Sequence, residues 1–363
     1  MTGLVVHEWI ERTGGSEYVL EKICETLQPS SVLCAWNNDT ERFSRWTVRE
    51  SWISRTPLRG RKSIAIPALM HQWNTRDTSD AEWVLTSSHA FAHHVPVSRG
   101  SGTRKLGYIY TPARYVWFPE TDRRGQSAAA RIVSKPIQVA DRARAQELTQ
   151  VAAISRHIAD RVKSAWHLDS DVIYPPVDVA RFASAPILSM EEEEQLKSLP
   201  GEFILGASRF IPYKRLDVAI RVGELTGLPV VLAGGGPEEL RLRNEAEASD
   251  AEVHFVVSPS NAVLSALYHR ARVLSFAAFE DFGIVPIEAM ASGTPVIGLS
   301  TGGVSETVVD GLTGALVEDF TKKSLLRAFE KAEEVDKKDC VARAAFFSED
   351  IFASNIREWV KPR

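Results

Sequence analysis

The chain has 363 residues, of which 44% are hydrophobic and 25% charged, and its net charge is −4. This composition is typical of a soluble globular protein with room for two domains, and three scattered cysteines argue against a disulfide framework or a zinc site and fit a reducing compartment. A charge at position 8 argues against a secretory signal, and no run approaches the roughly 20 apolar residues of a membrane span, so we expect a cytoplasmic protein.

Charge divides the chain into two chemically different halves. Residues 1–180 carry 23 Lys and Arg against 19 Asp and Glu, whereas residues 181–363 carry 20 against 28. Eight of the nine tryptophans lie in the first half. A Pro-flanked acidic stretch between the halves predicts a boundary, which gives a first domain at 1–182, a linker at 183–200 and a second domain at 201–346.

The first half alternates strands and helices. Strands are predicted at 4–6, 32–35, 83–87, 106–110 and 151–154, and a strand ended by a rigid turn is predicted at 172–178. A helix at 16–27 is indicated by apolar residues at helical spacing, and further helices are predicted at 137–150 and 157–166.

The second half alternates more regularly. Strands are predicted at 203–207, 229–233, 252–257, 273–276 and 295–298, and helices at 217–226, 237–248, 261–271 and 283–292. Buried strands separated by helices predict a doubly wound α/β domain with a parallel sheet. Ligands of such sheets bind beyond the carboxyl ends of the strands.

The segment EDFGIVPIEAM at 280–290 indicates a binding site. Glu280 lies in a loop after a strand, and Glu288 lies in the helix that follows. The first turn of that helix offers unpaired N–H groups to an anion, and the carboxylates can accept hydrogen bonds from sugar hydroxyls. The pattern favours a nucleotide-sugar site over a surface with unrelated acids.

Two cations and a Gly-rich turn follow other strands of the second half. Arg209 and Lys214 could neutralise a diphosphate, although they could also be solvated surface cations. The glycines around Gly235 allow a nucleotide to approach the backbone closely, or simply make a tight connection.

EDFGIVPIEAMASGTPVI resembles the donor-site signature of glycosyltransferase family 4, retaining enzymes of the GT-B fold. The resemblance is strongest over 203–317 and extends over most of the chain. It implies two doubly wound Rossmann-like domains facing a cleft, with a nucleotide-diphospho-sugar donor on the second domain and no metal or cofactor. It assigns the diphosphate to Arg209 and Lys214, sugar hydroxyls to Glu280, and the ribose to Glu288. Further donor contacts are expected from Gly235, Phe282, Gly283 and Ile284.

The first half carries weaker parts of the same resemblance. HEW at 7–9 and GGSE at 14–17 are similar to the family pattern HDW…GGxE, so donor contacts are expected from Gly14 and Gly15 and acceptor contacts from Glu8. YTPARYVW at 110–117 is similar to a segment of mannosyltransferase-like members in which a histidine important for catalysis precedes the Thr-Pro pair. Tyr110 replaces that histidine and is expected to contact the sugar. Nearby acceptor-side candidates are His89 and Arg114.

The resemblance implies a retaining hexosyltransferase of polysaccharide biosynthesis, with a mannosyl group from GDP-mannose as the leading expectation. A glycan, glycolipid or lipid-linked acceptor is expected, and no nucleic acid. The alternatives are a sugar-nucleotide epimerase of the same fold and a nucleotide-sugar-binding protein without transfer activity. The last segment, 347–363, is expected to be a helix that packs back on the first domain. A basic segment with two tryptophans at 41–62 predicts weak peripheral membrane binding, or else a variable solvated surface.

Overall fold

The structure, a computed structural model, describes residues 2–62, 64–73, 78, 81–98, 100–119 and 127–362, with the backbone alone at 128–132. The chain forms two compact units. Unit 1 contains residues 1–175 and 352–363, and unit 2 contains residues 176–351. Each unit is built on one parallel sheet, as the alternating pattern predicts.

Unit 1 contains a seven-stranded sheet in the order β3-β2-β1-β4-β5-β6-β7. Its strands are β1 (Gly3–His7), β2 (Ser31–Cys34), β3 (Val48–Glu50), β4 (Trp83–Ser88), β5 (Arg104–Ile109), β6 (Gln150–Ala153) and β7 (Asp171–Val172). Every neighbouring pair is parallel. The edge strand β3 is absent from the sequence-based prediction, because a short edge strand lacks a continuous apolar run, and β7 coincides only with the start of the strand predicted at 172–178.

Five helices of unit 1 lie between these strands. They are α1 (Gly15–Leu27), α2 (Ile66–Leu69), α3 (Arg114–Trp117), α4 (Ala128–Ala145) and α5 (Arg156–Trp166). The predicted helix at 137–150 is wrong in its bounds, because α4 contains Pro136 in its interior. Proline usually ends or begins a helix, so a prediction from sequence starts after it.

Unit 2 contains a six-stranded sheet in the order β10-β9-β8-β11-β12-β13. Its strands are β8 (Ile204–Ala207), β9 (Val230–Gly234), β10 (Val253–Val257), β11 (Val273–Phe276), β12 (Val296–Leu299) and β13 (Gly314–Val317). All neighbouring pairs are parallel. The side chains of β8, β9 and β11 form a core with those of two helices defined next, through Val218, Ile220, Leu325 and Phe329.

The helices that follow β7 extend to the end of the chain. They are α6 (Val179–Ala183), α7 (Met190–Lys197), α8 (Asp217–Thr226), α9 (Glu239–Glu247), α10 (Asn261–Arg270), α11 (Ile284–Ala291), α12 (Val304–Thr307), α13 (Lys322–Glu333), α14 (Lys337–Ala345) and α15 (Glu349–Trp359). Three of the helices predicted for this half, at 217–226, 261–271 and 283–292, match α8, α10 and α11 within one residue at each end. In the described residues, no helix combines the length and the apolar character needed to cross a bilayer.

The division between the units differs from the predicted linker. The stretch at 183–200 belongs to unit 2 and contains α7, which begins with a capping box formed by Ser189 and Glu192. Arg270 fastens its end by donating to the carbonyl oxygens of Leu196 and Pro200. A linker was predicted there because an acidic run with flanking prolines has no apolar stripe.

The last segment of the chain belongs to unit 1. The Phe352 ring lies 5.9 Å from the Tyr108 ring on β5, centroid to centroid. Arg104 and Gln150 donate to the carbonyl oxygens of Val360 and Trp359, at 2.8 and 3.1 Å.

Both sheets have a topological switch point, where the strand order reverses. In unit 1 the chain builds β1, β2 and β3 outward in one direction and then returns to place β4 beside β1. In unit 2 it builds β8, β9 and β10 and then places β11 beside β8. The loops that leave such a pair of strands diverge to opposite faces and leave a crevice at the carboxyl edge of the sheet.

Candidate functional site

The switch point of unit 2 carries an ion pair between two of the predicted site residues. Lys214 follows β8 and Glu280 follows β11, and the Lys214 ammonium donates to Oε1 of Glu280. Their side chains are 10% and 23% exposed, so the pair can be reached from solvent. The Lys214 ammonium also lies 5.3 Å from the centre of the Tyr213 ring and 5.6 Å from that of Phe276.

Arg209 stands at the end of β8 with a free charge. Its guanidinium is exposed and donates to the Tyr213 hydroxyl at 3.3 Å, and no acidic partner is found for it in the described residues. Arg215 nearby is different, because it donates to both carboxylate oxygens of Asp217. A ligand with negative charge would therefore meet Arg209 and Lys214 here, whereas Arg215 is already neutralised.

The loop that carries Glu280 is held by a second loop at 301–303. The Gly303 N–H donates to the Glu280 carbonyl oxygen at 2.8 Å. A Cβ on Gly303 would lie 2.3 Å from Cα of Phe282, and a Cβ on Gly302 would lie 2.8 Å from the Glu280 oxygen. The two glycines thus allow backbone to pack directly on backbone, which fixes Glu280.

The N-terminus of α11 follows this loop. Gly283 has a φ of 96°, a left-handed conformation that glycine adopts without steric cost and that turns the chain into the helix. Phe282 before it is buried, with its ring 5.7 Å from that of Phe347, and Ile284 is half-buried. These residues position the N–H groups of the first helical turn, which attract an anion.

Glu288 on α11 is separate from the Lys214–Glu280 pair. Its carboxylate accepts a hydrogen bond from the Tyr268 hydroxyl at 2.9 Å, and no hydrogen bond or ion pair joins it to Lys214 or Glu280 in the described part of the chain. Burial raises the pKa of Glu288, although Tyr268 and the charge of Arg181 act against this. A carboxyl with a perturbed pKa beside a crevice is a candidate ligand group.

The Gly-rich turn after β9 packs on the loop after β8. A Cβ on Gly234 would lie 1.8 Å from the Ser208 carbonyl oxygen, and one on Gly236 would lie 2.6 Å from that of Phe210. At Gly235 the nearest atom would be the Ser258 Oγ, at 3.2 Å. Packing therefore explains the outer two glycines, and Gly235 is the position where a close backbone approach remains open.

The switch point of unit 1 gathers Glu8 and His89 with His7. Glu8 follows β1 and His89 follows β4. Nδ1 of His89 lies 3.1 Å from Oε2 of Glu8, close enough for an ion pair but not aligned for a linear N–H···O bond. Burial acts to raise the pKa of Glu8, but His89, His7 and backbone N–H donors outweigh it and lower that pKa.

Tyr110 makes internal hydrogen bonds at this switch point. Its hydroxyl lies 3.0 Å from the Ser87 Oγ and donates to the Ser16 carbonyl oxygen at 3.2 Å. Burial raises the pKa of Tyr110. The hydroxyl joins α1 to β4, so a contact with a sugar would compete with these bonds.

The remaining candidates of unit 1 differ in their surroundings. Gly14 and Gly15 are exposed at the start of α1, and a Cβ on Gly14 would lie 2.0 Å from the buried carboxylate of Glu17. Arg114 is exposed at the start of α3. Gly14 is thus explained by packing, and its role toward a ligand stays a prediction.

Among the described residues of unit 1, two groups of side chains have the residue types of metal sites. They are His7, Glu8 and His89, and the buried set His93, His94 and Asp141. In the second set both imidazoles contact Oδ1 of Asp141, and Trp117 and Trp166 donate to its other oxygen. That carboxylate is therefore saturated and fits a structural hub better than a metal ligand. Neither set was expected from sequence, because residues about 45 apart or more are joined only by the sheet and α4.

Residues 190–344 match the model of a family described as glycosyl transferases group 1. A D-inositol 3-phosphate glycosyltransferase of Mycobacterium avium (strain 104) is 31% identical over 219 residues, which cover 54% of this chain and 49% of that relative. A second D-inositol 3-phosphate glycosyltransferase, from Mycolicibacterium smegmatis, is 32% identical over 181 residues, which cover 46% of this chain and 38% of that relative. The matched part of the chain thus spans half or less of the length of these curated relatives.

Solved structures resemble the chain over nearly its full length. Anabaena HepE in complex with UDP has a TM-score of 0.73 at 17% identity and covers 99% of both chains. Sucrose-phosphate synthase from Thermosynechococcus elongatus has a TM-score of 0.73 at 18% identity and covers 99% of this chain and 98% of its own. The two Rossmann-like units are those of the GT-B fold, as the sequence predicts.

Proposed function

We propose that this protein is a glycosyltransferase that moves a hexosyl group from a nucleotide-diphospho-sugar to a hydroxyl of an acceptor. The observation that carries the proposal is the Lys214–Glu280 pair beside Arg209 at the switch point of unit 2. This arrangement lies within the segment that matches the family model. It offers two cations for a diphosphate and a carboxylate for sugar hydroxyls.

The chemistry follows from the charges that develop in the reaction. As the bond from the anomeric carbon to the diphosphate breaks, its electron pair stays on the diphosphate. Arg209 and Lys214 stabilise the departing group, and the N–H groups at the start of α11 add to this stabilisation. Glu280 holds sugar hydroxyls and so fixes the anomeric carbon for attack. We further propose that the transfer retains the anomeric configuration of the sugar.

The nucleoside side of the donor is assigned to Glu288 and Gly235. A ribose hydroxyl would donate to the Glu288 carboxylate. Because this carboxylate is buried, leaving it with a single donor costs free energy, and the ribose would supply a second one. Packing explains why the other two residues of this turn are glycines, but it gives no steric reason for a glycine at position 235. Phe282, Gly283 and Ile284 complete the set as residues that shape the start of α11.

We propose a hexose nucleotide as the donor. Guanine and uracil are the two candidates for its base. The TPxRYxW resemblance favours GDP-mannose. Anabaena HepE, which shares the fold at 16% identity, was solved in complex with UDP-glucose. The acceptor we propose is a glycan, glycolipid or lipid-linked sugar in polysaccharide biosynthesis, handled in the cytoplasm or weakly bound at the inner membrane face.

A thermal-shift screen with GDP-mannose, UDP-glucose, GDP and UDP tests the proposal directly. We expect one nucleotide series to stabilise the protein. Arg209→Ala and Lys214→Ala should each lower transfer by about 2–4 kcal/mol of transition-state stabilisation. Arg215→Ala is the matched control, because Asp217 already neutralises this neighbouring cation. Failure of every nucleotide to shift the melting temperature would contradict the proposal.

A further inference from the structure

Three side chains at the switch point of unit 1 bring together buried polar atoms that lack hydrogen-bond partners. These atoms are Nε2 of His7, Oε2 of Glu8 and Nδ1 of His89, and none has a hydrogen-bond partner among the residues that the structure describes. His7 and Glu8 are fully buried, and His89 is 22% exposed. One potential ligand atom from each of the three residues lies within 4.8 Å of the other two. Because buried polar atoms are normally paired, this cluster needs an explanation.

An ion pair inside the cluster explains only two of the three atoms. Nδ1 of His89 lies 3.1 Å from Oε2 of Glu8, so a proton on this nitrogen would pair the two residues. Nε2 of His7 would then remain buried without a partner, which costs free energy. A cation between the three residues would accept a lone pair from each of them at once.

The hydrogen bond behind His7 orients its ring as metal-binding histidines are oriented. Nδ1 of His7 lies 2.9 Å from the carbonyl oxygen of Ser87, which can only accept. The proton is therefore on Nδ1, and the lone pair is on Nε2. Burial lowers the pKa of His7, which favours the neutral ring. Metal-binding histidines almost always donate their other N–H to a carbonyl or carboxylate in this way.

The hydrogen bonds behind Glu8 fix its carboxylate and leave one oxygen for the cluster. Oε1 accepts from the Ser88 hydroxyl and from the backbone N–H groups of His89, Ala90 and Ala92, at 2.8 to 3.1 Å. In the part of the chain that the structure describes, no lysine or arginine forms an ion pair with Glu8. A divalent cation would therefore compensate a buried negative charge that only histidines face at present.

The types of ligand atom indicate which metal fits the cluster. Two imidazole nitrogens and one carboxylate oxygen suit Zn²⁺, whereas Mg²⁺ and Ca²⁺ prefer oxygen ligands alone. Bonds of about 2.0–2.1 Å place neighbouring ligands of a tetrahedral Zn²⁺ roughly 3.4 Å apart. The contact of His89 with Glu8, at 3.1 Å, is already close to this separation. A pair at the outer limit of 4.8 Å would have to approach by about 1.4 Å, which small side-chain rotations can supply.

We propose that His7, Glu8 and His89 bind one Zn²⁺ ion through Nε2, Oε2 and Nδ1, with the fourth position left to water. All three ligands belong to unit 1, so the site is complete without unit 2. The ion joins the carboxyl ends of β1 and β4. The family resemblance implies transfer without a metal, so we assign the ion no step in that reaction, and the inference does not rest on the proposed function.

The test is metal binding by the full chain, prepared without a histidine tag and stripped with a chelator. Calorimetry with Zn²⁺ should give one ion per chain, and Zn²⁺ should raise the melting temperature. Co²⁺ in its place should give the visible absorption of a tetrahedral site. His89→Gln should weaken Zn²⁺ binding by at least about 100-fold, because loss of an outer-shell partner alone costs about 10- to 100-fold.

Two control variants separate this cluster from other histidines. His254→Gln removes a partly exposed imidazole that also contacts a carboxylate, that of Glu252 at 2.8 Å. His94→Gln removes a member of the second buried set, around Asp141. Both variants should bind Zn²⁺ with the parental affinity.

A measurement on the parent protein keeps the inference testable if His89→Gln fails to fold. In long-range ¹H–¹⁵N spectra of the imidazoles, Zn²⁺ should shift the resonances of Nε2 of His7 and Nδ1 of His89. Shifts confined to other histidines, or the absence of one-to-one binding by the parent, would overturn the inference.

The remaining outcomes separate this inference from the proposed function. Parental affinity in His89→Gln, or loss of binding in His94→Gln alone, would show that the ion does not bind at this cluster. A protein that binds nucleotide-sugar but no Zn²⁺ would overturn the metal site and leave the glycosyltransferase standing. A protein that binds Zn²⁺ but no nucleotide would do the reverse.

Discussion

Lys214 and Glu280 contact each other although the proposed donor needs both of them. The resemblance assigns the lysine to a diphosphate and the glutamate to a sugar, and without ligand each satisfies the other's charge at a partly exposed position. Donor binding would exchange one ion pair for two new interactions. A nucleoside diphosphate without a sugar would take Lys214 and leave Glu280 unpaired, which is costly for a partly buried charge. The pair therefore favours donors that carry a sugar.

Glu280→Gln should bind nucleoside diphosphate more tightly and turn over donor more slowly. The neutral amide releases Lys214, and a charge-assisted hydrogen bond of about 1.5 kcal/mol corresponds to roughly tenfold in affinity. Titration calorimetry with UDP and GDP measures the affinity. Glu239→Gln is the control, because its exposed pair with Arg243 lies within α9. Weaker nucleotide binding by Glu280→Gln would contradict this account.

Glu288→Gln should stabilise the protein without ligand and weaken its nucleotide binding. Burial raises the pKa of Glu288 in the folded state, so its ionisation favours unfolding. A group with a raised pKa contributes stability below its unfolded pKa and loses that contribution as pH rises. In urea unfolding, the amount by which the free energy of unfolding of Glu288→Gln exceeds that of the parent should therefore grow between pH 4.5 and 8. A parent protein that stays more stable at pH 8, or equal nucleotide affinity, would oppose the assignment.

Among the loops, the one at 301–303 holds Glu280 in position by direct packing of backbone on backbone. Gly303→Ala would place a Cβ 2.3 Å from Cα of Phe282, and backbone cannot yield as a side chain can. We expect the loop to shift, with a loss of about 1–3 kcal/mol in stability and weaker donor binding. Gly201→Ala is the control, since nothing lies within 4 Å of its Cβ. Unchanged unfolding and donor binding in Gly303→Ala would show that the loop is not braced in this way.

The buried hub at Asp141 joins α4 to α3, α5 and the turn at 92–94. Burial lowers the pKa of His94 from 6.5 to about 4, so the folded protein holds this ring neutral. Below pH 6.5 the unfolded state binds a proton that the folded state resists, and stability is lost as pH falls toward 4, by up to about 3 kcal/mol.

Urea unfolding at pH 7, 5.5 and 4.5 should therefore show a steeper loss of stability in the parent than in His94→Gln, which cannot take up that proton. The variant is expected to be less stable at pH 7, because Asp141 loses one of the three donors that hydrogen-bond to it, those of His94, Trp117 and Trp166. Parallel losses in the two proteins would assign the acid sensitivity to other groups.

The strands and helices of unit 2 follow from local sequence, whereas the contacts of the site do not. Apolar runs bounded by turn residues mark β8 and β11 individually, but the contact of Lys214 with Glu280 exists only because these two strands are neighbours. His7 was identified only as part of the HEW segment and not as a neighbour of His89, since a histidine at a strand end is ordinary. The path of α4 through Pro136 and the edge strand β3, with its charged Arg49 and Glu50, contradict the local preferences on which such predictions rest.

For the whole protein, membrane binding through segment 41–62 should be weaker than its seven cations imply. Arg42, Arg59 and Lys62 contact Glu21, Glu50 and Glu11 within unit 1. Trp52 is 51% exposed and remains available to an interface. Each cation near an anionic surface contributes about 1 kcal/mol, so we expect weak, salt-sensitive binding.

Co-sedimentation with phosphatidylserine vesicles at low and physiological salt measures this binding. Trp52→Ala should reduce the pelleted fraction, and Trp83→Phe, a change at a buried tryptophan, should not. A protein that stays in the supernatant at low salt would favour a soluble acceptor.

The return of residues 352–363 to unit 1 has a consequence for synthesis on the ribosome. Unit 2 is continuous in sequence, so all of its strands are available once residue 351 has left the exit tunnel. Unit 1 is interrupted in sequence by unit 2. The residues that Tyr108, Arg104 and Gln150 contact in its last segment are synthesised more than 200 residues later. The first unit to begin folding is thus the last to be completed. Until then its β5–β6 surface is exposed to chaperones and to other nascent chains.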